Sequence, residues 1–331
     1  MYKATYALAR LHDHRREAFI LRALLAQRTF RRGKRGEWYD RLALVVMRYP
    51  EAALAAADDD DDEKGEKDRR LREARQICLD ALQDPWTHAV FRPRLERRLA
   101  RIESLLRLEQ RTAVSTTTLR NARDRVMEGE RLDAASQTTG ASVWRARDGA
   151  EISVEQLALE QYAVEGWRGH HSENGVLRMI FTLLFWDVLF APVDGVFETP
   201  YQTAPLDLAT DAFAVVRHDL VTARLAQIRA GKASEIVAMT DDVERPRKTF
   251  ALAAHWDRYA RDDLVEITDC LGGAALAEIC QVFAEDYGER SGGMPDLCLW
   301  KPDERKVLFS EVKSPLDRLS ETQKVGSPVH C

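Results

Sequence analysis

Apolar positions recur at helical spacing through the first third of the chain. Ala18, Leu21, Leu24 and Leu25 form one stripe, and Trp38, Leu42, Val45 and Val46 form a second. A third runs through Leu95, Leu99, Ile102 and Leu106 at intervals of four, three and four. This pattern predicts short antiparallel helices over 1–111, stacked as hairpins or as a helical-repeat (TPR-like) array, although no clean 34-residue consensus recurs. Between the second and third stripes, Asp58 to Asp62 leads into EKGEKDRR. A calcium loop would need Gly at the sixth position and Glu at the twelfth, where Glu63 and Arg69 stand. A solvated insertion between helices is the expectation.

The pattern changes over 112–152, where Thr/Ser-rich segments alternate with short β-like pieces, as in a connector or small sheet. Ser153-Val-Glu-Gln156 then reads as a capping box opening a helix through Ala158 and Tyr162. The run VLRMIFTLLFWDVLF (176–190) is apolar on nearly all sides, and a helix is expected over 172–190. It is too short for a bilayer, which needs roughly 20 residues, and it reads as the buried central helix of a domain. Mixed helix and loop follow to about 290. Last, PDLCLW (295–300) and VLFSEVK (307–313) are β-type runs joined by the turn-forming KPDERK, a hairpin signature. The expected fold class is α+β and mainly helical, with a small central sheet.

Of 331 residues, 45% are hydrophobic and 31% charged, which suits a globular chain. Lys+Arg 49 against Asp+Glu 54 excludes a globally basic DNA-coating protein but not local basic patches. The N-terminus is charged and carries no apolar signal core. The five cysteines are scattered and never form C-x-x-C, which argues against a disulfide scaffold and a Cys-rich zinc site and for a reducing compartment.

The chemistry sits in the hairpin. With Trp300 opposite Val307, Asp296 falls opposite Glu311, and Glu311 and Lys313 share a face while Val312 points the other way. Two carboxylates and an ammonium then converge at one end of two strands. Adjacent carboxylates in an apolar setting call for a cation or proton between them. An oxygen-preferring divalent ion, Mg²⁺ or Mn²⁺, is the natural occupant. Lys313 would orient or help deprotonate an attacking water, or stabilise charge on a phosphoryl oxygen. A bare acid-x-Lys means little, since Asp62-Glu63-Lys64 also satisfies it. Pro-Asp opening one strand and Glu-x-Lys closing its partner is the pattern of PD-(D/E)xK nucleases. The competing reading is a surface hairpin with an ordinary cross-strand ion pair.

The run SGGMPDLCLWKPDERKVLFSEVKSPLDRLSETQ resembles the VRR-NUC domain of the Fanconi-associated nuclease family. The resemblance extends upstream through RGEWYDRLAL (35–44), residues 154–190, PLDLATDAF (205–213) and DLVEITDCLGG (263–273). It implies a restriction-endonuclease-like domain over 153–331 behind the connector. It implies that Asp296, Glu311 and Lys313 are catalytic, and that Glu173, Asp296, Glu311 and the Val312 carbonyl hold the metal. Glu173 reads otherwise as a first-turn glutamate favoured by the helix dipole, or as part of a zinc site with His170 and His171, for which no fourth soft ligand is spaced nearby.

The implied function is a metal-dependent, structure-specific DNA nuclease acting at 5′ flaps and from 5′ ends in DNA repair, interstrand-crosslink repair included. The implied location is nuclear, the substrate branched or flapped duplex DNA, and the partners DNA-repair proteins, with no membrane. The alternatives are a non-cutting DNA- or protein-binding helical scaffold with a degraded nuclease domain, or a phosphodiesterase acting on something other than DNA.

Candidate DNA contacts are Arg41, Arg92, Arg94, Arg98, Arg290, Arg318 and Gln323. Seven arginines between 92 and 111 face only Glu96, Glu103 and Glu109, and Arg28, Arg31, Arg32, Lys34, Arg35 and Arg41 form a second basic group. The competing reading is a solvated helix face laced with ion pairs. By resemblance Arg41 matches an arginine of the family's 5′-phosphate pocket, while Phe91, Gly288 and Thr322 stand at its other basic positions, so strict 5′-phosphate anchoring is not implied. The family's N-terminal SAP-type extension is not matched. Ser320-Glu-Thr-Gln323 opens a helix that Gly326 and Pro328 stop. The expectation is therefore a fragment or mis-spliced form lacking a final helix and strand, with one side of the hairpin left uncovered.

Overall fold

The structure, a computed structural model, describes residues 2–54, 63–88, 90–108, 123–132 and 143–314. The chain divides into two compact units, Met1–Leu119 and Arg120–Cys331.

The first unit is helical: α1 (Tyr2–Arg10), α2 (His14–Ala26), α3 (Arg35–Arg48), α4 (Glu63–Gln83) and α5 (Arg92–Leu105). Asp13 caps α2 by accepting from the Arg16 backbone N–H. The stripes read from the sequence meet in one core, with Ala18, Leu21, Trp38, Leu42, Val45, Val46, Leu95, Leu99 and Ile102 buried. One expectation fails. EKGEKDRR is not an insertion between helices but the first part of α4, whose buried face is Leu71, Ala74, Cys78 and Ala81. The dense charge of its first two turns hid a helix that packing on α3 and α5 stabilises. Asp58 to Asp62 lie outside the described residues.

The second unit opens with a small antiparallel sheet of β1 (Arg131–Leu132), β2 (Val143–Arg145) and β3 (Glu151–Ile152). Next come α6 (Val154–Val164), β4 (Arg168–His171), α7 (Gly175–Leu184) and α8 (Trp186–Leu189). Helices α9 (Ala212–Val216), α10 (His218–Arg229), α11 (Ala233–Glu244), α12 (Arg261–Leu271) and α13 (Gly273–Arg290) follow. The hairpin of β5 (Leu297–Lys301) and β6 (Lys306–Ser310) completes the described chain. Ser153 caps α6 through its side chain and the Gln156 backbone N–H, at 3.2 Å. Among the described residues, no single helix is long and apolar enough to cross a membrane.

The second sheet has the order β4-β5-β6, all antiparallel, so β5 lies in the middle. Its run LCLW is apolar at every position because both faces of the sheet are covered. Leu297 and Leu299 pack toward α6, with Ala158 and Tyr162. Cys298 and Trp300 join the large helical core built on α7, α12 and α13. The hairpin register is the expected one, Trp300 opposite Val307 and Leu297 opposite Ser310. Val307 and Phe309 are buried in the large core, so one face of β6 is covered, with Leu308 half-buried on the other, even though β6 is an edge strand among the described residues.

The expected 172–190 helix is shorter and broken. It starts at Gly175 and is interrupted at Phe185, before α8. Glu173 and Asn174 have positive φ, 37° and 77°, so the chain turns left-handed there before the helix begins. Glu173 is therefore not a first-turn residue of α7.

Candidate metal centre

Three segments end together at one edge of the second sheet. Antiparallel pairing brings the C-terminal end of β4, the residue before β5 and the residues after β6 to the same side. The segments are cross-linked through their backbones. The Ser172 N–H donates to the Asp296 carbonyl at 2.8 Å, the Met294 N–H to Asn174 Oδ1 at 2.6 Å, and the Val312 N–H to Asp296 Oδ2 at 2.9 Å. Asp296 is thus fixed in backbone and side chain. Gly175 permits the close approach of Tyr259, whose hydroxyl would lie 2.2 Å from any Cβ at that position.

Within this edge, His171, Glu173 and Asp296 each offer a ligand atom within 4.8 Å of the other two. His171 Nε2 lies 3.4 Å from Glu173 Oε1. Glu311, across from Asp296, has a side chain only 5% exposed and takes the Lys313 ammonium on Oε1 at 2.6 Å. Burial pushes the Glu311 carboxyl above the usual carboxylate range, and the charge of Asp296 adds to this. The Lys313 ammonium and the Asp296 backbone N–H oppose the shift. The donors suit a divalent cation: two carboxylates and an imidazole converge, a third carboxylate stands beside them, and no guanidinium lies within ion-pair distance of Asp296 or Glu173 among the described residues.

The expected site residues fare differently. Glu173, Asp296, Glu311 and Lys313 share this edge; the Val312 side chain packs toward α6, as strand alternation requires, while its backbone, whose carbonyl is the expected ligand, stays at the edge through its N–H bond to Asp296. His171 takes a place beside the carboxylates, whereas His170 bonds Asp263 at 2.9 Å and faces Tyr259 and Trp300. The sequence signal for His171 was its spacing two residues before Glu173. It lost force because β4, with Arg168 and Gly169 at its start, does not read as a strand.

The candidate DNA-contacting arginines of the first unit carry structural bonds. Arg41 grips Glu17, whose side chain is 1% exposed, through two nitrogens at 2.5 and 3.0 Å. Arg98 and Arg94 both reach Asp40, at 2.7 and 3.4 Å. Arg92 donates to the Leu82 carbonyl at 2.9 Å, and Phe91 packs against Gly36. In the second unit, Arg290 lies 3.5 Å from Asp286. Arg318, Thr322 and Gln323 lie outside the described residues.

Comparison with known proteins gives this edge a context. Residues 230–325 match the VRR-NUC domain. The Fanconi-associated nuclease 1 homolog of Schizosaccharomyces pombe is 38% identical over 330 residues, covering 98% of this chain and 45% of that protein. Fanconi-associated nuclease 1 of Mus musculus is 28% identical over 348 residues, covering 99% of this chain and 32% of that protein. A crystal structure of paFAN1 bound to 2nt 5′flap DNA with gap has the same fold, with a TM-score of 0.65 at 24% identity, over 97% of this chain and 50% of that one. The chain thus spans about half the length of these proteins or less. Sequence kinship along nearly its whole length, with a VRR-NUC domain over 230–325, makes this chain a member of the Fanconi-associated nuclease family.

Proposed function

We propose that this chain is a metal-dependent, structure-selective DNA nuclease that hydrolyses phosphodiesters at 5′ flaps and from 5′ ends. The observation that carries this reading is the convergence of His171, Glu173 and Asp296 beside Glu311 and the Lys313 ammonium held against it. Kinship with the Fanconi-associated nucleases supports DNA as the substrate, and the flap-bound relatives of the same fold support a branched one. A role in interstrand-crosslink repair, a nuclear location and DNA-repair partners follow from the same kinship.

In this reading Glu173, Asp296 and Glu311 would hold Mg²⁺ or Mn²⁺, with His171 completing the set. The bound ion supplies a lowered pKa for its water and a counter-charge for the phosphoryl oxygens. The chain's own groups do the rest. Val312 and Ser172 hold the Asp296 segment in place through the backbone. Lys313, sitting against Glu311, opposes the upward push that burial gives its carboxyl, and its positive charge would be available to an attacking water or a phosphoryl oxygen. The left-handed pair Glu173-Asn174 aims the Glu173 carboxylate back across the end of the sheet.

The test is cleavage of a labelled 5′-flap duplex with Mn²⁺, with EDTA, and with Asp296→Ala protein. Cleavage is expected in the first case only. Retained cleavage in the Asp296→Ala protein would move the active site elsewhere. DNA binding in EDTA with no cutting in Mn²⁺ would make the chain a scaffold.

A further inference from the structure

We propose that Arg258 is a phosphate-binding residue for the substrate backbone, placed beside the metal cluster. This rests on the nuclease reading and extends it to a residue that neither the hairpin motif nor the cluster contains. Arg258 is exposed, and its Nη2 donates to the His171 carbonyl at 2.8 Å. That bond ties the guanidinium to the backbone of the residue whose imidazole faces Glu173 and Asp296. One nitrogen is engaged in this way, while an arginine offers five N–H donors in a rigid fork that matches phosphate geometry.

The charge environment separates Arg258 from its neighbours. Among the described residues no carboxylate lies within 4.0 Å of it, although the segment is acidic. Asp257 is taken by Lys248 at 2.7 Å, and Asp262 by Arg261 at 3.2 Å. Asp263 is taken by Arg168 and by His170, at 2.5 and 2.9 Å. Each acid of this segment therefore has a partner other than Arg258, which among the described residues has no carboxylate within ion-pair distance and lies next to a site that has to attract a polyanion. Phosphate attraction at such a place offsets the repulsion between DNA and the carboxylates of the cluster.

The guanidinium is also held in advance of binding. On one side Trp256 is buried, its indole N–H donating to the Thr249 carbonyl at 2.9 Å, and Arg245 donates to its carbonyl. On the other side Tyr259 is fully buried against Gly175 and the His170 ring. The Arg258 guanidinium carbon lies 5.4 Å from the Tyr259 ring centre. With both neighbours anchored, little backbone freedom is lost when a phosphate docks.

The experiment measures binding of a labelled 5′-flap duplex across a salt series in Ca²⁺, and single-turnover cleavage in Mn²⁺, using wild-type, Arg258→Gln and Arg258→Lys proteins. In Arg258→Gln the slope of log affinity against log salt should shallow by about 0.9, and affinity at moderate salt should fall about ten-fold. Arg258→Lys should restore the slope, since the charge returns, while cleavage stays below wild type because the fork is lost. An unchanged slope in Arg258→Gln protein, with only a lowered melting temperature, would overturn the proposal and leave Arg258 as a brace for the His171 carbonyl. Wild-type protein that fails to cut in Mn²⁺ would sink the nuclease reading, whereas the Ca²⁺ binding slopes judge Arg258 either way.

Discussion

Carboxylates meet opposite fates in two regions of the molecule, the helical core of the first unit and the end of the second sheet. In the first, the buried acids among the described residues are matched by guanidinium groups: Glu17 by Arg41, Asp40 by Arg98, Asp84 by Arg35 and Glu103 by Arg75. These pairs join α2 to α3, α3 to α5 and α4 to α5, and their charges cancel on the spot. At the end of the second sheet, the exposed Glu173 converges with Asp296 and the His171 imidazole, and Glu311 stands across from Asp296 with the Lys313 ammonium against it. A protein able to neutralise its acids this thoroughly has left one set short of positive charge. Acids with an arginine hold the helices of the first unit together; the acids at the sheet end are arranged to take a cation.

The largest effect expected from breaking this comparison is in the first unit. Arg35 is 2% exposed and bonds Asp84 at 2.7 Å and the Leu25 and Gln27 carbonyls at 3.0 and 2.6 Å. Arg35→Ala strands a buried acid, which costs about 3–5 kcal/mol, read as a lowered midpoint in urea denaturation. A change of less than about 1 kcal/mol would mean that the pair is not structural.

Next comes Gly175→Ala, which drives a methyl into the Tyr259 hydroxyl and disturbs the turn that carries Glu173. The expected cost is about 1–3 kcal/mol, accompanied by weaker Mn²⁺ binding in calorimetry. Stability lost with Mn²⁺ affinity intact would separate the turn from the cluster.

A smaller and opposite effect is expected at the centre of the cluster. Asp296→Asn removes one of the mutually repelling charges, so without metal the variant should be as stable as wild type or more stable by roughly 1 kcal/mol. The same kind of change in the first unit, Asp40→Asn, should destabilise, because there the acid is compensated. Melting temperatures in EDTA give both signs, and equal losses in both variants would erase the contrast.

The smallest effect treats the units alike. Burial pushes the Cys78 and Cys298 thiols up to about 12, one in each unit. A raised thiol pKa lowers the thiolate fraction at every pH below it, so neither should react with a thiol reagent up to about pH 9 until the chain unfolds. Rapid labelling of either cysteine in the native protein would contradict its burial.

Much of this was legible in the residues because the relevant signals are local. The three apolar stripes of the first unit and the 153–156 cap are short-range patterns, and both appear in the structure as read. The hairpin register followed from two apolar runs and the length of the turn between them, and it placed Asp296 across from Glu311. The misses were tertiary. Strand β4 carries Arg168 and Gly169, poor strand formers that pairing with β5 alone makes extended. Without that strand, nothing in the sequence brings His171 to Asp296 across 124 intervening positions. The left-handed turn at Glu173-Asn174 likewise depends on the Met294–Asn174 and Ser172–Asp296 bonds. The arginine-rich stretches read as a DNA surface, and in the structure several of those side chains brace helices, because an arginine's partner is chosen by packing rather than by its neighbours in sequence.

The central claim is that the clustered acids at the end of the β4-β5-β6 sheet are a cation site. The most direct measurement is Mn²⁺ binding to the full chain by electron paramagnetic resonance, with the melting temperature followed in parallel. Wild-type protein should bind Mn²⁺ and gain about 2.7 kcal/mol of stability at a hundred-fold excess over the dissociation constant, and Asp296→Asn protein should lose both effects. Equal Mn²⁺ binding by the two proteins, or none by either, would contradict it.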